Sequence, residues 1–75
     1  MSHVITRRDE DGTWFACSHE NGVVRSWADH LQFNGPYSVA VFHSEAYAQR
    51  VAVITTASPG GDPDYICGPC KVRKL

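Results

Sequence analysis

The chain has 75 residues, of which 43% are hydrophobic and 20% are charged, and its net charge is -1. A chain of this length forms one domain, 1–75, whose core is so small that such domains often add a metal, a disulfide or a partner. The slightly acidic balance argues against a general nucleic-acid or membrane binder, because those proteins usually carry a basic excess.

The cellular compartment expected for the protein follows from two further features of the sequence. No stretch is long and apolar enough to span a bilayer, and the N-terminus lacks the basic-then-apolar order of a secretion signal, so we expect a cytoplasmic protein with no membrane partner. Thiols stay reduced in the cytoplasm, and a disulfide framework would leave one of the three cysteines unpaired.

The first third of the chain predicts three short strands joined by tight turns. Alternating and β-branched residues indicate strands at His3–Arg8, Thr13–His19 and Val23–Trp27. Asp-Gly and Asn-Gly pairs at 11–12 and 21–22 supply the left-handed positions that hairpin turns need.

The middle of the chain predicts one more strand and the helix. After an irregular segment, Tyr37–His43 alternates like a strand. Ser44 then suits a helix N-cap, and Tyr47, Val51 and Ile54 recur at helical spacing, so we expect a helix from about Ser44 to Thr55. Residues 51–56 are also β-branched enough to form a strand.

The last part of the chain predicts a loop at 57–64, a short edge strand at Tyr65–Ile66 and a basic tail at 71–75. The expected fold class is therefore α+β. It consists of a small antiparallel sheet of three or four strands with one helix packed on one face, stapled by zinc.

The strand that begins with Trp14 after the Asp-Gly turn, together with the later segment FHSEAYAQRVA, resembles small proteins of actinobacteria and their bacteriophages. The resemblance covers roughly the middle of the chain. It implies a phage-encoded or accessory protein and identifies no activity.

The sequence Cys67-Gly68-Pro69-Cys70-Lys71 resembles the active site of thioredoxin. In thioredoxin-like proteins this motif follows a strand and opens a long helix, whose N-terminus lowers the pKa of the first cysteine. Only five residues follow Cys70, and no βαβ unit precedes Cys67, so a thiol-disulfide oxidoreductase is the less favoured alternative.

A structural zinc site explains the cysteines better. Cys67 and Cys70 have the spacing of a zinc knuckle, and Cys17 and His19 share a face if their strand is regular. The four residues form a Cys3His set that uses every cysteine in the chain. His3, His30 and His43 stay open as alternative fourth ligands.

The predicted role is non-enzymatic, because four protein ligands close the zinc site and no catalytic constellation stands out. The leading hypothesis is a small zinc-stabilised interaction module that binds a host or viral protein. A nucleic-acid-binding protein similar to a zinc ribbon is the alternative. The candidate partner-binding residues are Trp27 and Phe33, if exposed, and a basic set that could gather on one face: Arg7, Arg8, Arg25, Lys71, Arg73 and Lys74.

Overall fold

The computed structural model describes residues 2–9, 12–57 and 68–75. Over these ranges it contains four strands and one helix: β1 (His3–Asp9), β2 (Gly12–Glu20), β3 (Val23–Ala28), α1 (Glu45–Ala57) and β4 (Lys71–Lys74). The strands form one antiparallel sheet in the order β3-β2-β1-β4. The predicted α+β class, with a small antiparallel sheet and one helix, is confirmed, and the zinc staple stays a prediction.

The turn between β2 and β3 has the predicted geometry. Asn21 and Gly22 both have positive φ, at 54° and 82°, which is the requirement of a tight hairpin turn whose twist matches the strands. A Cβ at Gly22 would lie 3.0 Å from Cδ1 of Ile54, so the helix packs directly against this turn. The other predicted connections, residues 10 and 11 of the first turn and the 58–66 loop and edge strand, lie outside the described residues.

The predicted strand at Tyr37–His43 is wrong. Within it Phe42 forms a single β-bridge, through two 2.8 Å backbone hydrogen bonds with His3, and the N–H of Ala40 donates to the carbonyl of Ala16 on β2 at 2.9 Å. The N–H of Val39 instead donates to the carbonyl of Gln32 at 2.8 Å. Because neighbouring backbone groups find different partners, the alternating side chains do not become a ladder.

The helix begins as predicted. The Ser44 hydroxyl accepts a hydrogen bond from the N–H of Tyr47 at 3.2 Å, which is the N-cap contact. The helix continues to Ala57, so residues 51–56 are helical. The buried positions fall on one face at helical spacing: Ala48, Val51, Ala52 and Thr55.

The sheet has apolar residues on both faces. The helix-side core joins the helix to one face through Ile5, Ala16, Val24, Trp27, Phe42, Ala48, Val51 and Ala52. The opposite face carries a second cluster of Val4, Phe15 and Val39. Successive residues of a strand point to opposite faces, which explains why Val4 and Ile5 belong to different clusters.

The predicted basic tail is a strand of the sheet. In β4, Lys71 pairs with Thr6 and Arg73 pairs with Val4. Val72 packs against the helix-side core, and the charged residues on either side of it are exposed. One apolar residue among four gives almost no strand signal, so the pairing with β1 is what makes this segment extended.

Candidate functional site

The Cys17–His19 half of the predicted zinc set lies in an irregular part of the sheet. The pairing of β2 with β3 is irregular between Ala16 and Ser18 and again between Ser18 and His19. An extra residue in one strand breaks the alternation of side chains. The regular alternation from which Cys17 and His19 were predicted to share a face is therefore interrupted between them, and the metal set itself stays a prediction.

Cys17 and His19 have different neighbours. The Cys17 thiol donates to the carbonyl of Tyr37 at 3.3 Å, and burial raises the pKa of this thiol above its ordinary value. The His19 ring packs against two aromatic rings, with centroid distances of 5.3 Å to Phe42 and 6.0 Å to Tyr47. The Cys17 side chain thus lies by a loop carbonyl, and that of His19 in an aromatic cluster by the first turn of α1.

Cys70 lies near the other end of the helix. Its N–H donates to the Thr56 hydroxyl at 3.0 Å, and its side chain packs against the helix-side core. Tyr47, the neighbour of His19, precedes Thr56 by about 13 Å along the helix axis, at about 1.5 Å per residue. In the described residues the redox arrangement also differs from thioredoxin, because Cys70 is followed by β4 and not by a helix.

Cys67 lies outside the described residues, so the four-residue set is not placed. Among residues 2–9, 12–57 and 68–75, no group of three or more His, Cys, Asp or Glu side chains could hold a metal ion. His3 is buried beneath the start of α1, 4.0 Å from Glu45, whereas His30 and His43 are exposed.

The zinc site stays a prediction with a direct measurement. If the four-residue set binds zinc, the protein should contain about one zinc ion per chain. The Cys17→Ser and Cys70→Ser variants should each lose this zinc, because each substitution removes a thiolate ligand. Metal analysis of the reduced, purified protein checks this. A folded protein without zinc, or a Cys17→Ser variant that keeps a full complement of zinc, would contradict the set.

A groove on the face opposite the helix gathers basic side chains. It has a volume of about 270 Å³ and is lined by Thr6, Arg7, Arg8, Thr13, Gly68, Pro69, Lys71 and Arg73, a set we call the basic groove. Lys71 and Arg73 pair with Thr6 and Val4 of β1. Val4, Thr6 and Arg8 occupy every second position of β1, so Arg8, Lys71 and Arg73 lie on one face of the sheet. All three are exposed.

The loop that precedes β4 is fixed to the sheet beside this groove. The Arg7 side chain is buried, and its Nε donates to the carbonyl of Gly68. Gly68 has a φ of 85°, a left-handed conformation that glycine adopts without strain. The turn and the buried arginine hold the β4 cations in position against β1.

The expectation that all six basic residues gather is only partly correct. Arg25 belongs to β3, at the opposite edge of the sheet from β4. Lys74 alternates with Arg73 and so points to the other face. Neither lines the basic groove. Thr6 and Thr13 also line the groove and were not predicted. Each lies two positions from an apolar residue of its own strand, Val4 or Phe15, and therefore shares its face.

The two candidate aromatic residues differ in exposure. Trp27 is 8% exposed and belongs to the helix-side core, so it is not an exposed partner-binding residue. Phe33 is 52% exposed, and Tyr37 in the same loop is 62% exposed. Of the two candidates, Trp27 and Phe33, only Phe33 meets the condition of exposure.

A second cavity lies where this loop meets the sheet. It has a volume of about 320 Å³ and is lined by Trp14, Trp27, Ala28, Asp29, His30, Gln32 and Tyr37, a set we call the aromatic pocket. His30 bonds Asp29 Oδ1 through Nδ1 at 2.7 Å and Gln32 Oε1 through Nε2 at 2.6 Å. The hydrogen bond to Asp29, then that to Gln32, raises the pKa of His30.

Comparison with family models, with curated proteins and with solved structures gives no match for this chain. In the part of the chain that the structure describes, α1 falls short of the length and apolar character that crossing a bilayer requires.

Proposed function

We propose that the protein is a non-enzymatic binding module whose basic groove takes an extended acidic segment of a partner protein. The observation that carries the proposal is the convergence of Arg8, Lys71 and Arg73 on one sheet face, beside Arg7. Opposite charge across an interface steers the encounter and fixes the register of the bound segment.

The spacing of the cations fits an extended segment. Same-face residues in a strand are about 7 Å apart, which is the spacing of Lys71 and Arg73 along β4. Carboxylates at alternate positions of an extended peptide recur at the same interval. The hydroxyls of Thr6 and Thr13 line the same groove and can hydrogen-bond carboxylate oxygens.

The charge of the rest of the chain favours an acidic peptide over a nucleic acid. Four of the seven Lys and Arg residues line the groove, which leaves three against eight Asp and Glu residues over the whole chain. A long polyanion would extend beyond the groove and be repelled by the net negative charge of the rest of the protein, whereas a short acidic segment contacts the groove alone. Nucleic-acid binding is the second candidate, supported by the same four cations.

Two double variants with the same change of charge test the proposal. Lys71→Glu/Arg73→Glu reverses the groove, and Arg25→Glu/Lys74→Glu reverses two cations outside it. The probes are a fluorescent decapeptide with Asp at alternate positions and a single-stranded oligonucleotide of equal charge, each titrated at two salt concentrations.

We expect the groove variant to weaken peptide binding by about tenfold, since losing two attractions and gaining two repulsions amounts to about 1.4 kcal/mol or more. The control variant should change affinity by less than about twofold, because its charges lie outside the groove. Equal losses in both variants would contradict the groove. Tighter binding of the oligonucleotide, with a steep salt dependence, would replace the peptide assignment with the second candidate.

A further inference from the structure

We propose that the aromatic pocket binds a quaternary ammonium group, independently of the basic groove. Three aromatic side chains, Trp14, Trp27 and Tyr37, line one cavity together with the carboxylate-bearing Asp29. Aromatic faces attract cations through their quadrupole, and trimethylated ammonium groups are bound in this way by aromatic cages.

The polar side chains of the pocket favour a cation that has no N–H donors. Nδ1 of His30 engages one carboxylate oxygen of Asp29 at 2.7 Å, and Nε2 of the same ring engages the Gln32 side chain at 2.6 Å. A primary ammonium ion loses strong hydration on entering the pocket and needs several acceptors to replace it. A quaternary ammonium ion needs none, and it gains from the aromatic faces and from the negative charge of Asp29.

The backbone that carries Tyr37 is held in place before any ligand binds. The Cys17 thiol donates to the Tyr37 carbonyl at 3.3 Å. The loop around Tyr37 is closed by backbone hydrogen bonds from Ser38 to Gly35 at 3.3 Å and from Val39 to Gln32 at 2.8 Å. A pre-ordered backbone reduces the entropy that is lost when the exposed Tyr37 ring contacts a ligand.

Choline and 3,3-dimethylbutanol provide a matched pair of probes, because they have the same shape and differ in charge. Binding is followed through the indole N–H signals of Trp14 and Trp27 in NMR spectra. We expect choline to bind at least about fivefold more tightly than the neutral alcohol. A peptide with trimethyl-lysine, compared with its unmethylated form, then shows whether the cation can be presented by a protein.

Three substitutions locate the site. Tyr37→Ala should weaken choline binding by about three- to tenfold, and Tyr37→Phe should retain it, because the ring face and not the hydroxyl makes the contact. Phe33→Ala is the matched control, since Phe33 is exposed in the same loop and does not line the pocket. Its affinity for choline should be unchanged. Equal affinity for the charged and neutral probes, or an unaltered affinity in Tyr37→Ala, would overturn the proposal.

The pH dependence gives a second readout. The titratable groups in the lining are Asp29, His30 and Tyr37. A protonated His30 offsets the charge of Asp29, so choline affinity should rise by a few fold as the pH is raised through the pKa of His30. Asp29→Asn should weaken binding and remove the rise. Affinity that falls over this pH range in the wild-type chain would count against the assigned role of Asp29.

Discussion

Replacing Ile5 by alanine is expected to lower the free energy of unfolding by about 2–5 kcal/mol. Ile5 is fully buried, at 0% exposure, and lies on β1 in the centre of the sheet. It pairs directly with Val72 of β4, and its side chain belongs to the helix-side core. The substitution loses the burial of three carbon atoms and leaves a cavity between the sheet and the helix.

The size of this loss relative to the whole domain makes the measurement sensitive. A domain of this length has a total stability of about 4–11 kcal/mol, at about 0.05–0.15 kcal/mol per residue. Urea denaturation followed by circular dichroism gives the difference. Val53→Ala is the control, because Val53 is 66% exposed on α1 and should change the stability by less than about 0.5 kcal/mol.

A conservative substitution keeps the Ile5 test measurable if the alanine variant does not fold. Ile5→Val removes a single methylene and should cost about 0.5–1.5 kcal/mol. A loss below about 1 kcal/mol for Ile5→Ala would mean that the sheet and the helix close around the vacated space. In that case the helix-side core would be less rigid than its burial indicates.

Local signals predicted the elements whose structure depends on neighbouring residues. The Asn21-Gly22 turn needs left-handed backbone at both positions, which the residue types themselves provide. The Ser44 N-cap is likewise a contact between residues three apart in the chain. Both features depend only on short segments of the chain, and both were predicted from the sequence.

Non-local pairing explains what the sequence did not reveal about the fold. Lys71–Lys74 is extended because it pairs with β1, more than sixty positions earlier in the chain. Conversely, Tyr37–His43 has an alternating pattern and forms only the Phe42 bridge, because its backbone bonds go to several partners. Neither outcome can be derived from the composition of the segment alone.

The same reason limited the prediction of the candidate site. That Arg8, Lys71 and Arg73 share a face follows from the strand register, which the chain does not encode locally. The pairing of β2 with β3 is irregular around Cys17, which strict alternation did not anticipate. The aromatic pocket depends on Tyr37 and Trp14 lining one cavity, and the two residues belong to segments whose packing only the tertiary structure defines.

Two adjacent threonines near the end of α1 connect the helix to both edges of the sheet. Thr55 is fully buried, and its hydroxyl accepts the N–H of Val24 on β3 at 2.9 Å. Thr56 accepts the N–H of Cys70, immediately before β4, at 3.0 Å. Since β3 and β4 are the two edge strands, the helix end spans the sheet and orients the segment that carries the groove cations.

Thr55→Val is therefore expected to destabilise the domain by about 1–3 kcal/mol. Valine has nearly the shape of threonine, so the substitution mainly removes the hydroxyl and leaves the buried N–H of Val24 without its acceptor. The hydroxyl also donates to the carbonyl of Gly22 at 3.3 Å, a second contact that valine loses. Urea denaturation measures the loss, and faster hydrogen exchange at the Val24 amide locates it.

Thr55→Ser separates the hydroxyl from the packing of the methyl group. Serine keeps both hydrogen bonds and loses one methyl, at a cost of about 1 kcal/mol. Because an unsatisfied buried donor costs more than a lost methyl, we expect valine to be the more damaging substitution. If serine were worse than valine, Thr55 would act by filling space and not by hydrogen bonding. The helix would then be held to β3 by apolar contacts alone.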